Sequence, residues 1–84
     1  MSKKLYVGNL PFRFTNEDIK STFSVVGNVV DAVVITDKMT HRSRGFGFVE
    51  FSTEEEAQKA LADFNGKEIE GRKLVVDMAR DKQG

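Results

Sequence analysis

The sequence predicts an α+β fold of order βαββαβ, a four-stranded antiparallel sheet with two helices on one face. Three observations predict it. Short segments rich in β-branched and aromatic residues occur in four places and alternate at period two. Two segments between them repeat apolar residues at helical spacing. Each helical stripe is narrow, so both helices should cover the same side of the sheet and leave the other open. With 84 residues the chain is one small domain, 1–84, with a core of about 4–79 and a short polar tail at 80–84.

The first strand runs from Leu5 to Leu10, where Leu5 and Val7 alternate with Tyr6 and Gly8. Pro11 ends it, since proline has no N–H for a sheet ladder. Thr15 is a good helix N-cap, and Glu17 and Asp18 suit the positive end of the helix dipole. Phe14 and Ile19 are spaced as a hydrophobic staple. Ile19, Phe23 and Val26 recur on one face, and Gly27 reads as a left-handed stop. Val29 to Ile35 is the second strand, followed by a polar loop from Asp37 to Ser43. Arg44 to Phe51 is the third strand.

Ser52-Thr53 then offers capping-box spacing to the run Glu54-Glu55-Glu56. Ala57, Ala60, Leu61 and Phe64 give the helical face, and Asn65-Gly66 stops it. After a short connection containing Ile69 and Gly71, the fourth strand runs from Arg72 to Ala79. There Leu74 and Val76 alternate with Lys73, Val75 and Asp77.

Composition removes several classes of function. Cysteine is absent, so disulfides and thiolate metal sites are excluded, and the single histidine, His41, cannot make a metal site alone. A chain this short leaves no room for a deep cleft, so no cofactor and no small-molecule substrate are expected. No apolar run approaches the roughly 20 residues of a membrane span. Met1-Ser2-Lys3-Lys4 leads into the first strand without a secretory apolar stretch, so no membrane partner and an intracellular location are expected. Net charge is zero, but its distribution is uneven. Lys38, Arg42 and Arg44 form a basic cluster and Glu54-Glu55-Glu56 an acidic one.

The open face carries the function. In the third strand Val49 and Phe51 point one way and Phe46, Phe48 and Glu50 the other. Glu50 is charged, so Phe46 and Phe48 lie on the solvent side, with Arg44 beside them and Tyr6 on the first strand. Three aromatic rings on an exposed sheet mark a binding surface. Flat rings beside a guanidinium suit flat, anionic ligands, because a nucleobase stacks on a ring and arginine contacts phosphate. Gly45 and Gly47 each weaken the strand, so a steric cause is expected, and helices crossing the covered face would supply one.

The residues that carry this surface resemble the RNA recognition motif family. Arg44-Gly45-Phe46-Gly47-Phe48-Val49-Glu50-Phe51 matches the family's eight-residue RNP1 pattern, and Leu5-Tyr6-Val7-Gly8-Asn9-Leu10 its six-residue RNP2 pattern. The likeness runs from Lys4 to about Ala79 and implies a ferredoxin-like arrangement binding about two to four nucleotides of single-stranded RNA. It implies that Tyr6 and Phe48 each stack a base, that Phe46 packs against ribose and that Arg44 holds a phosphate. It further implies base selection by Val33, Ile35, Lys73, Val75 and Asp77, and contacts from Ala79 and Arg80. Lys38 and Arg42 read either as phosphate contacts or as solubilising charges of the loop. His41 stands where many relatives carry glycine, a departure that bears on the loop's conformation.

Other readings stand beside this one. Phe12 reads as loop packing, and Asn9 as a residue that orders the strand end. A protein-binding module of this family would usually lose the aromatic set that this chain keeps. A small phosphatase of the same element order would need a glycine loop with a catalytic arginine after the first strand, where this chain has Pro11-Phe12-Arg13-Phe14, so no enzymatic activity is expected. Single-stranded DNA is an alternative ligand, since stacking does not sense the 2′-hydroxyl. A monomer is expected.

Overall fold

Alternation along the strands, read outward from the buried positions, sets the architecture. In the computed structural model, which describes residues 3–79, the elements follow in the order β1 (Lys4–Gly8), α1 (Asn16–Phe23), β2 (Val29–Thr36), β3 (Ser43–Phe51), α2 (Glu54–Phe64), β4 (Glu68–Ile69), β5 (Arg72–Lys73) and β6 (Val75–Met78). The main sheet has the order β2-β3-β1-β6 with every neighbouring pair antiparallel, and β4 and β5 form a separate hairpin. Leu5, Val7, Val49, Phe51 and Val76 point from the sheet into one core with Ile19, Phe23, Ala57, Ala60 and Phe64 of the helices. Phe23 sits at the centre, with ring centroids 4.3 Å from Phe64 and 6.5 Å from Phe51. Removing each of the valine, leucine, isoleucine and phenylalanine side chains from water contributes about 1.5–3 kcal/mol, which is what holds the helices to this side.

Both helix starts are capped as their sequences require. The Thr15 hydroxyl accepts from the Asp18 N–H at 3.2 Å, and the Asp18 carboxylate accepts from the Thr15 N–H at 2.9 Å, a reciprocal box with aspartate as its acid. At α2 the two available hydroxyls divide the work. Thr53 is the N-cap, accepting from the Glu56 N–H at 3.1 Å, while Ser52 donates to the Glu56 carboxylate. The same carboxylate accepts from the Asn28 N–H at 3.1 Å. The Ser52 hydroxyl, followed by the Asn28 N–H, holds the Glu56 carboxyl below the ordinary range.

That contact also corrects the expectation for Gly27. The first helix ends at Phe23 with Ser24 as its C-cap, and Gly27 is not left-handed. A Cβ on Gly27 would lie 2.8 Å from Cβ of Glu56, so this glycine makes room for Glu56 to reach Asn28.

Two further boundaries differ from the sequence reading. The first strand stops at Gly8, because Asn9 turns to φ 60 and its side-chain amide donates to the Lys73 carbonyl at 2.8 Å. The fourth strand is divided. Leu74 donates to the Lys67 carbonyl at 2.9 Å and accepts from the Gly66 N–H at 2.8 Å, which separates β5 from β6. Ile69 pairs with Arg72 across a two-residue turn, Glu70-Gly71, at φ 53 and 79, the pair of left-handed residues that a type I′ hairpin needs. Arg13 forms an ion pair with Glu70 and so ties the β1–α1 connection to this hairpin.

The outer strands have partners beyond the sheet. The Val34 N–H of β2 donates to the Asn16 side chain at 2.8 Å, and the Val76 N–H of β6 to the Asn65 side chain at 3.1 Å.

The glycines of β3 answer to strands and loops, not to helices. Between the pairs Val34↔Gly47 and Thr36↔Ser43, β3 takes more residues than β2, and Gly45 in that bulge has φ +84. A Cβ on Gly47 would lie 2.3 Å from the Val33 carbonyl oxygen. That neighbour is main chain and cannot step aside. Gly47→Ala is therefore expected to cost about 3 kcal/mol of stability. Denaturant unfolding checks this, and a loss under about 0.5 kcal/mol, typical of an innocuous surface change, contradicts the close approach.

Candidate nucleic-acid interface

The pairing of β1 with β3 brings the predicted aromatic residues together. Tyr6 lies opposite Phe48 and Gly8 opposite Phe46. Ring centroids are 5.8 Å apart for Tyr6 and Phe46, 6.0 Å for Tyr6 and Phe48, and 6.3 Å for Phe46 and Phe48. The three rings form a half-buried triangle on the two central strands, within the 4.5–7 Å range of interacting aromatics. The Tyr6 ring leans along its strand over Gly8, where a Cβ would meet its hydroxyl at 2.7 Å. Glycine at that position lets the ring lie flat.

The flanking strands complete the face. Val33 lies opposite Phe48, and alternation carries the half-buried Ile35 to the same side. Asp77 lies opposite Tyr6 and Val75 opposite Gly8, both exposed. Val33, Phe48, Tyr6 and Asp77 thus make one row across the sheet.

Other predicted residues fall elsewhere. Lys73 is exposed but lies on the β4–β5 hairpin, outside the main sheet, because the Leu74 main chain is drawn toward Gly66 and Lys67. Ala79 keeps only 8% of its surface and donates its N–H to the Lys4 carbonyl at 2.9 Å, so it offers a base little side-chain area. Arg80 lies outside the described residues. Lys38 and Arg42 are exposed on the β2–β3 loop, and Arg44 is exposed at its foot.

Sequence reasoning passed over one residue. Lys4 shares the face of Tyr6 by alternation, and its ammonium lies 5.9 Å from the Phe48 centroid. The period-two spacing from Tyr6 was the available signal. Phe12, read as loop packing, is 61% exposed.

The β2–β3 loop is organised by one aspartate. The Asp37 carboxylate accepts from the N–H groups of Met39 at 2.7 Å and Thr40 at 3.2 Å, and its main chain bonds Arg42 and His41. His41 takes φ 61, a left-handed conformation that glycine adopts more readily than any side-chain-bearing residue.

A four-stranded sheet backed by helices on one side carries three clustered aromatic rings on the other. The chain belongs to the RNA recognition motif family, whose sequence profile matches residues 5–75. It is 45% identical over 83 residues to the chloroplastic small RNA-binding protein 11 of Arabidopsis thaliana, covering 99% of this chain and 57% of that protein. The crystal structure of RNA-binding protein PG1 superposes with a TM-score of 0.91 at 43% identity, covering 99% of this chain and all of that one. The Rna15 RRM, solved with bound RNA (GU), superposes with a TM-score of 0.87 at 31% identity over 96% of this chain and 86% of that one. The chain spans about half the length of the curated relatives it matches.

The Met39 N–H, then the Thr40 N–H and the charge of Arg44, hold the Asp37 carboxyl below the ordinary carboxylate range. With the folded value lowered, the loop's stabilisation is present above the unfolded carboxyl's range and lost as pH falls through the folded value. In an NMR pH titration the Met39 and Thr40 amides are expected to shift with a midpoint below that of an unconstrained aspartate. A midpoint at the ordinary value means the caps are not made in solution.

Proposed function

We propose that the open sheet face binds single-stranded RNA, taking about two to four nucleotides across Tyr6, Phe46 and Phe48. The observation that carries this reading is the ring triangle, with centroids 5.8 to 6.3 Å apart on adjacent central strands. Tyr6 and Phe48 each stack one base, Phe46 packs against a ribose, and Arg44 meets a phosphate. Lys38 and Arg42 add charge from the loop, while Val33, Ile35, Val75 and Asp77 border the bases. The names of the relatives and the RNA-bound neighbour support the same ligand.

Two stacked bases contribute about 1–3 kcal/mol each, against which stands the cost of ordering a flexible strand. Micromolar affinity follows, near about −8 kcal/mol. The surface holds and orients its ligand and changes no bond, so the role is binding and not catalysis. It acts as a monomer, since one chain supplies every ring of the triangle. RNA being an intracellular polymer, the site of action is inside the cell. Stacking does not sense the 2′-hydroxyl, so single-stranded DNA competes for the same rings.

Phe48→Ala is expected to leave the fold intact and weaken RNA binding about tenfold or more. Fluorescence anisotropy with labelled RNA reads this directly, and unchanged affinity sinks the stacking mechanism. Arg44→Ala is expected to lower the slope of log affinity against log salt by about 0.7, one released counterion. Titrations at several salt concentrations measure that slope, and an identical slope removes Arg44 from the phosphate path.

A further inference from the structure

Of the four asparagines in the chain, Asn65 alone is followed by glycine, whereas Asn9, Asn16 and Asn28 precede Leu10, Glu17 and Val29. The main-chain nitrogen after an asparagine can attack that residue's side-chain amide carbon. Glycine there places no Cβ in the way and turns freely about its own bonds. Asn65 and Gly66 are both exposed, and a Cβ on Gly66 would meet nothing within 4 Å. Burial therefore does not protect the pair.

Hydrogen bonds hold it instead. Asn65 is the C-cap of α2 at ψ 119, with its N–H on the Leu61 carbonyl at 3.0 Å. Its side-chain oxygen accepts from the Val76 N–H at 3.1 Å. The Gly66 N–H donates to the Leu74 carbonyl at 2.8 Å, with Gly66 at φ +84. The two groups that would react are thus tied to different partners in the segment that leads into β6. For them to meet, the Gly66 nitrogen must lose its proton and swing about the Asn65 Cα–C bond toward Cγ. Both movements give up the bond to Leu74.

We infer that Asn65 is a site of covalent self-modification, kept latent by these hydrogen bonds and released when the turn between α2 and β4 opens. In the open turn the Gly66 nitrogen gives its proton to water and attacks Cγ of Asn65. A C–N bond forms, the Cγ–Nδ2 bond breaks, and the amide nitrogen takes a proton from water and leaves as ammonia. Water then opens the five-membered imide at either of its two carbonyls, and nothing is oxidised or reduced. One product is aspartate, with the main chain unchanged and a carboxylate that still accepts from Val76. The other is isoaspartate, whose main chain gains a methylene and whose carboxylate sits directly on Cα. That carboxylate no longer reaches Val76. Val76 lies between Val75 and Asp77 at the margin of the open face, so the isoaspartyl form loosens β6 there.

Ageing the protein tests this. The full chain is incubated at mildly alkaline pH, folded and in guanidinium chloride, then digested with trypsin. Asn65 falls in its own peptide, residues 60–67, apart from the other three asparagines. Mass spectrometry reads the exchange of NH for O, and chromatography separates the two products. In guanidinium, peptide 60–67 is expected to react ahead of the peptides holding Asn9, Asn16 and Asn28, and failure to do so overturns the site. In the folded protein its reaction is expected to slow about tenfold or more, because opening costs free energy. The slowing is expected to match the hydrogen-exchange protection of the Gly66 amide. Equal rates in the two states overturn the latency, as does slowing out of proportion to that protection. The isoaspartyl form, purified from aged protein by ion exchange, is expected to lose exchange protection at the Val76 amide. The Asn65→Asp variant, which supplies the aspartyl form, is expected to keep it. Equal protection in the two forms overturns the loosening of β6.

Discussion

The antiparallel pairing of β1 with β3, from Lys4↔Glu50 to Gly8↔Phe46, is the constraint from which the face of this protein follows. A slip of one residue in that register would turn Leu5 and Val7 to water and push Tyr6 into the core. Burial of Leu5, Val7, Val49 and Phe51 opposes any such slip, because all four are fully removed from solvent. The rings are therefore displayed by the core beneath them. Tyr6 and Phe48 need no special contact to face outward, since their neighbours along the chain cannot.

The same economy shapes β3. Its glycines would weaken an ordinary strand, yet each admits a close neighbour: the Val33 carbonyl at Gly47 and the Phe12 ring at Gly45. The bulge at Gly45 shifts the register with β2 beyond Val34 and sets Arg44 at the foot of the loop that Asp37 organises. Main-chain geometry thus links the sheet, the β2–β3 loop and the β1–α1 connection at one end of the molecule.

Much of this was legible in the sequence, for local reasons. Period two and the charge of Glu50 were enough to sort Phe46 and Phe48 from Val49 and Phe51, and Thr15 and the pair Ser52-Thr53 announced their helices. What was not legible depends on partners distant in the chain. The break at Leu74 comes from main-chain bonds to Gly66 and Lys67. Asn9 reads from the sequence as ordering the strand end, but its partner Lys73 lies far along the chain, as does the Arg72 guanidinium over Phe12. Glu70-Gly71 lacks the asparagine that usually marks a type I′ turn. Gly27 was read as a helix stop because a local rule explains most such glycines, whereas here the cause is Glu56 on the second helix.

The two asparagines that reach the outer strands have a consequence for solution behaviour. The stretch from Val29 to Ile35 is rich in valine and holds one charge, the kind of edge that templates addition of a foreign strand and seeds fibrils. Asn16 occupies an N–H of that edge and Asn65 an N–H of the opposite one, each filling a position where an incoming carbonyl would dock. The register shift around Val30 interrupts the first edge further. With one docking point taken on each margin, the sheet that leaves its aromatic surface uncovered is a poorer template for a foreign strand along its borders.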